Sequence, residues 1–209
     1  MGIHTYLQSL SKLERIHRAP GEFKFEEHNV AAHSFKVAQY AQLLATVEEQ
    51  SGTKIDWKSL YEKALNHDYS EIFIGDIKTP VKYATPELRE MLAQVEEGMT
   101  KKFIEAEFPD ELLPIYLEKL KEGKDETVEG RILAVADKMD QVYEAFNEIE
   151  KGNTERVYRE MYEEALLSIQ KINLHCVSYF FNHILAEMLE DDTETTEGIR
   201  IITDKILAK

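Results

Sequence analysis

Apolar residues recur at intervals of three and four along almost the whole chain, and very little interrupts them. In 209 residues there are nine glycines and five prolines, too few for a turn-rich all-β domain. Ile3, Tyr6, Leu10, Leu13 and His17 make one stripe, and Val30, His33, Val37, Tyr40, Leu44 and Val47 make a second behind an Asn29 N-cap. Asp56 caps a third helix whose seam carries Trp57, Leu60, Ala64, His67 and Glu71, with Gly75 as its stop. Residues 18–28 and 75–86 read as loops, and Thr85-Pro86-Glu87 opens a fourth helix. Pro109 and Pro114 bracket a short helix start. A long helix over 125–151 has the stripe Val128, Ile132, Val135, Met139, Val142, Phe146; Thr154 caps the next, and a last one begins near Thr195 or Thr196. No linker divides the chain. The expectation is an all-α fold in a single domain spanning 1–209, with C-terminal helices over about 154–208.

Composition narrows the class. Net charge is −15 at pH 7, so a phosphate backbone repels the chain and no nucleic-acid partner is expected. No run approaches the ~20 apolar residues of a membrane helix, and residues 1–18 lack a signal-peptide core. The lone Cys176 asks for no oxidising compartment. A cytoplasmic protein without a membrane partner is expected. Met91, Met99, Met139, Met161 and Met188 read as core filler. Tyr158, Tyr162, Tyr179, Phe180 and Phe181 fit either a dimer surface or the protomer core.

The helical seams carry residues that do not belong in a plain core. His33 takes a core position of the second helix; His67 and Glu71, four apart, share a face of the third, with Asp68 turned about 100° from His67. Asp137 flanks the stripe of the long helix. Carboxylates facing a core are costly unless a cation compensates them, and two imidazoles with two carboxylates suit a borderline divalent metal.

The pattern His33, then His67-Asp68, then Asp137 in an all-helical chain resembles the HD-domain superfamily of metal-dependent phosphohydrolases. Leu13-Glu14-Arg15-Ile16-His17-Arg18, Glu27-His28-Asn29-Val30-Ala31-Ala32-His33-Ser34, His67-Asp68-Tyr69-Ser70-Glu71 and Gly75-Asp76-Ile77-Lys78-Thr79-Pro80-Val81-Lys82-Tyr83 are similar to the bacterial YfbR-like 5′-deoxynucleotidases. The likeness is strong over 10–85 and around 131–140, within a motif-bearing core of about 10–150.

The resemblance implies an HD-domain helical bundle in which His33, His67, Asp68 and Asp137 bind one divalent cation (Co, Mn, Zn or Mg). It implies that Glu71 activates or orients the attacking water and that Arg18 orients the phosphate. Asp76, Ile77, Lys78 and Thr79 would hold the nucleotide's sugar and phosphate, beside the ligands His33, Asp68 and Asp137. It further implies a small-molecule nucleotide substrate and a homodimer. The family has Trp after the arginine where this chain has Ala19, which bears on sugar and base preference. The expected activity is hydrolysis of (deoxy)nucleoside 5′-monophosphates. The alternatives are an HD-type hydrolase of another small phosphate ester or nucleotide polyphosphate, and a non-catalytic metal- and nucleotide-binding helical module. A general base beside the water is superfluous in a pure binder, so Glu71 favours catalysis.

Overall fold

The computed structural model describes residues 2–82, 84–121, 123–190 and 194–208, excepting the side chains of Thr79, Pro80 and 194–197; Tyr83 of the motif therefore lies outside the described residues, as does the side chain of Thr79. In chain order the helices are α1 (Ile3–Leu13), α2 (Val30–Gln50), α3 (Trp57–Asn66), α4 (Glu71–Ile74), α5 (Thr79–Lys82), α6 (Pro86–Glu107), α7 (Leu113–Lys119), α8 (Val128–Glu150), α9 (Arg156–Gln170), α10 (His175–Tyr179), a π-helical turn (Phe180–Ile184), α11 (Leu185–Met188) and α12 (Glu194–Leu207). The all-α expectation holds. No helix among the described residues is long and apolar enough to cross a membrane.

Two compact units divide these elements. The first comprises 1–21, 27–35 and 62–123, and the second 22–26, 36–61 and 124–209. In the first, Tyr6, Tyr69, Ile104, Phe108 and Leu120 form a core cluster, with Tyr6 in ring contact with Tyr69, Phe108 and Tyr116. In the second, α8 packs along α9, burying Ile132, Leu133, Val135, Met139 and Val142 of α8 and Tyr158, Tyr162, Leu166 and Ile169 of α9.

The caps follow the sequence at most helix starts. Asn29 Oδ1 accepts from the Ala32 N–H, Asp56 Oδ1 from Ser59 N–H, and Thr85 Oγ1 from Leu88 N–H. Thr154 does not cap α9. Glu155 holds that position, and Asn153 Oδ1 accepts the Glu155 N–H instead. The first helix also buries a different face: Tyr6, Ser9 and Leu13 point inward, Ile3 and Leu10 are exposed, and His17 lies beyond the helix in an antiparallel bridge with Asn29. Within the expected loop 75–86 the chain makes the short helix α5.

The methionines expected as core filler divide, and the aromatics left between dimer surface and core are resolved in part. Met139 is buried, whereas Met91 and Met99 are exposed, because they lie on the side of α6 opposite its inward-facing Thr100, Ile104 and Glu107. Of the C-terminal aromatics, Tyr158, Tyr162 and Phe180 are fully buried, so this set is largely protomer core.

Candidate metal and phosphate site

The expected single helix through His67 and Glu71 is interrupted. α3 ends at Asn66, residues 67–70 form a turn, and α4 restarts at Glu71. Bonds spanning three residues carry the chain through it: Tyr69 N–H to the Asn66 carbonyl, Glu71 N–H to Asp68, Ile72 N–H to Tyr69. The tighter winding changes which side chains share a face. It turns Asp68, which a continuous helix would rotate away from His67, onto the His67 ring: Asp68 Oδ2 lies 3.2 Å from His67 Nε2 and 3.3 Å from His33 Nε2. Gly75 then ends α4 at φ 74°, a left-handed turn that glycine enters without a Cβ penalty.

The two imidazoles point their Nε2 atoms at one another across 3.2 Å. His67 Nδ1 lies 2.9 Å from the Ala64 carbonyl. A carbonyl only accepts, so that nitrogen carries a ring proton; Nε2 then presents a lone pair when the ring is neutral and an N–H to Asp68 when the ring is charged. Two imidazole nitrogens and a carboxylate oxygen, facing inward within 4.8 Å of one another, form a donor set that a divalent cation satisfies and a plain core does not. The histidine side chains are fully buried. Burial alone would raise the Asp68 carboxyl, but the His67 charge, hydrogen bonds from His33 and His67 and the charge of His33 outweigh it and hold the group well below its ordinary range.

Glu71 stands apart electrostatically. Burial first, then the negative charges of Asp68 and Asp76, push its carboxyl up to about 9, against the opposing pull of Arg18 and His33. Its Oε2 is buried without a hydrogen-bond partner among the described residues. Such an atom costs free energy unless a ligand or water meets it.

Arg18 is buried at 8% exposure, its guanidinium 3.9 Å from Asp68 Oδ2. The bridge at His17–Asn29 fixes it: Arg18 N–H donates to the His28 carbonyl and Val30 N–H to that of Ile16. Ala19 follows at φ 48°, a left-handed backbone that costs an L-residue roughly 1–2 kcal/mol. Asp76 Oδ2 accepts the Ala19 N–H at 2.9 Å and holds that turn. Asp76 is thus tied to the arginine loop. Ile77 and Lys78 are half-buried, and Lys82 is paired with Glu96 at 3.1 Å.

Asp137 is on α8 in the second unit, buried at 6% exposure, and ion-paired with Lys124 Nζ at 2.9 Å. The sequence carried no signal for Lys124. Nor did it single out Ser9, whose hydroxyl donates to the Tyr6 carbonyl and meets Tyr69 OH at 2.8 Å. Tyr69 directly follows Asp68, so this bond tethers the turn to α1.

An all-helical chain with a His…His-Asp cluster, a buried arginine on the same carboxylate and a separate half-buried glutamate has the parts of an HD-domain phosphohydrolase. Residues 5–188 match the YfbR-like 5′-deoxynucleotidase family, and the chain belongs to that family. A 5′-deoxynucleotidase of Photorhabdus laumondii is 30% identical over 151 residues, covering 72% of this chain and 76% of the relative. An HD-domain phosphohydrolase from Listeria innocua is 55% identical with a TM-score of 0.94, covering 100% of this chain and 99% of that one. The cyanophage S-2L HD phosphohydrolase DatZ, solved with dA and one catalytic Zn²⁺ ion, shares the fold at 18% identity and a TM-score of 0.64, over 88% of this chain and 96% of that one.

Proposed function

We propose that the protein hydrolyses deoxynucleoside 5′-monophosphates to nucleoside and phosphate, as a cytoplasmic homodimer whose 1–209 chain is one HD-type domain. The family match runs through both compact units, which supports the single-domain reading. The observation that carries the activity is the pairing of a buried Glu71 Oε2, without a hydrogen-bond partner among the described residues, with a three-atom donor set from His33 on α2 and His67 and Asp68 on the preceding turn.

His33, His67 and Asp68 would hold one divalent cation, with Asp137 as a fourth ligand. Bound there, the cation supplies a Lewis acid and a water of lowered pKa. Arg18 contributes a planar fork that binds two phosphoryl oxygens and matches the charge that builds on them. The negative charges that, after burial, raise the Glu71 carboxyl would be offset by a cation held beside Asp68. In its ionised form Glu71 Oε2 takes the proton of the attacking water as the water's oxygen closes on phosphorus. The P–O5′ bond breaks with its electron pair going to the 5′ oxygen, which takes up a proton from water so that the nucleoside leaves as its 5′-hydroxyl. Asp76, with Ile77, Lys78 and Thr79, orients the sugar; Asp76 also holds the backbone of Ala19 and hence the arginine.

Replacing the family's indole by the Ala19 methyl removes bulk at the position after the arginine. A roomy pocket rejects an added hydroxyl poorly, by about 10²-fold at most. Protein stripped with EDTA and reloaded with Mn, Co, Mg or Zn should release phosphate from dAMP, more slowly from AMP, and negligibly from 3′-AMP. The dAMP-to-AMP ratio should be smaller than in relatives carrying Trp. Silence with every metal overturns the hydrolase reading, and equal hydrolysis of 3′-AMP overturns the orientation.

A further inference from the structure

We infer that the outer face of α6 is where two copies of this chain pair, antiparallel about a two-fold axis at Val95; this rests on the homodimer proposed above. Met91, Val95 and Met99 are 60%, 43% and 39% exposed. Each step of four residues turns about 40° on a helix, so the three make one slanted stripe centred on Val95. The side of α6 that carries Thr100 and Ile104 is buried instead. The stripe reads Met-Val-Met in either direction, so reversed on itself it meets like residues, as an isologous contact allows.

Reversal about Val95 sets Val95 on the partner's Val95, Leu92 beside the partner's Met99, and Met91 over the partner's Gly98. Gly98 has an explanation there and none in the protomer. A glycine inside a helix destabilises it, yet a Cβ at Gly98 would meet nothing within 4 Å. In the pair, the missing side chain leaves room for Met91.

The flanking charges agree with this direction. Glu87 lies near the start of α6 and Lys102 near its end, about 60° apart on one edge of the stripe by the 100° step, while Lys101 is paired with its own Glu105. Antiparallel pairing brings acid opposite base twice over. A different protein could be apolar enough to cover the stripe, but the palindrome and the doubled charge match select a second copy.

The test is sedimentation equilibrium of the metal-loaded protein, with circular dichroism to confirm that each variant is helical. The wild type should be a dimer, and Val95→Glu should raise the dimer dissociation constant at least 100-fold. The buried Cys176 leaves a new thiol unchallenged. Val95→Cys should therefore give a covalent dimer on mild oxidation, while Val81→Cys, exposed on α5, should not. Lys102→Glu should weaken pairing, and Glu87→Lys added to it should restore it. A wild-type dimer that survives Val95→Glu and gives no Val95→Cys crosslink overturns the α6 surface while pairing stands. A wild-type monomer at every concentration overturns pairing itself. Phosphate release is not the readout, so the hydrolase reading is judged separately.

Discussion

The turn at His67–Ser70 and the long helix α8 both bury charged groups, and they treat them in opposite ways. Along α8 the buried acids have partners. Glu148 accepts from the Phe25 and Glu26 N–H groups and from Asn153 Nδ2, Glu129 accepts the Asp56 N–H, and Asp140 is 2.7 Å from Lys36 Nζ. Glu48 of α2, in the same unit, accepts the Cys176 N–H and, after burial itself, helps push that thiol up to about 12. At the turn, two histidine nitrogens face one another and Glu71 Oε2 has no partner among the described residues. Burial of a charge is therefore a poor marker of function by itself. What separates the two regions is whether the protein supplies the partner or leaves that to a ligand.

The largest effect should come from the group whose partner is missing. Glu71→Gln keeps the shape and removes the base, so turnover should fall by roughly 10²–10⁴-fold while metal content, read by atomic emission, stays at the wild-type level. Asp68→Ala should lose metal and activity together, since it removes the oxygen shared by both histidines. Wild-type turnover in Glu71→Gln would erase the distinction between the regions.

Glu148→Ala probes the other side. It strands two loop N–H groups and the Asn153 amide, each lost bond to a charged acceptor being worth on the order of 1.5–3 kcal/mol. The melting temperature should fall by several degrees or more. Turnover per folded molecule, measured well below the transition, should stay within twofold of wild type. A hundredfold loss of turnover in folded protein would move Glu148 from scaffold to site.

The sequence made one of these regions legible and hid most of the other. Helical period and caps place α2, α6 and α8, because local hydrogen bonds and an apolar stripe write themselves at fixed spacing. His33 and His67-Asp68 stood out because imidazole and carboxylate on a seam break that pattern. The turn after Asn66 did not, since the residues through it suit a helix and only the three-residue bonding changes the face. The Asp76–Ala19 bond and the Lys124–Asp137 pair join residues far apart in sequence, which no local spacing encodes. Apart from Asp137, the buried acids of α8 read as ordinary polar positions, because what satisfies Glu148 is largely backbone, and backbone donors carry no residue signature.

The finest test lies one residue from the site. Tyr69 follows Asp68, yet its hydroxyl is partnered like those of α8. The Ser9 hydroxyl already donates to the Tyr6 carbonyl, so it receives the Tyr69 proton, and burial raises the Tyr69 phenol above its ordinary range and keeps it a donor. Tyr69→Phe removes that donor, keeps the ring packed on Tyr6 and Phe73, and leaves Ser9 its own bond. The expected loss is about 1 kcal/mol of stability, the net worth of one neutral hydrogen bond, read from denaturant unfolding. Metal affinity and turnover should hold within twofold, because the three-residue bonds of the backbone and the His67–Ala64 bond fix Asp68 without the phenol. A tenfold drop in metal affinity would mean that the tether to α1, and not the turn's own bonding, aims the carboxylate at the two histidines.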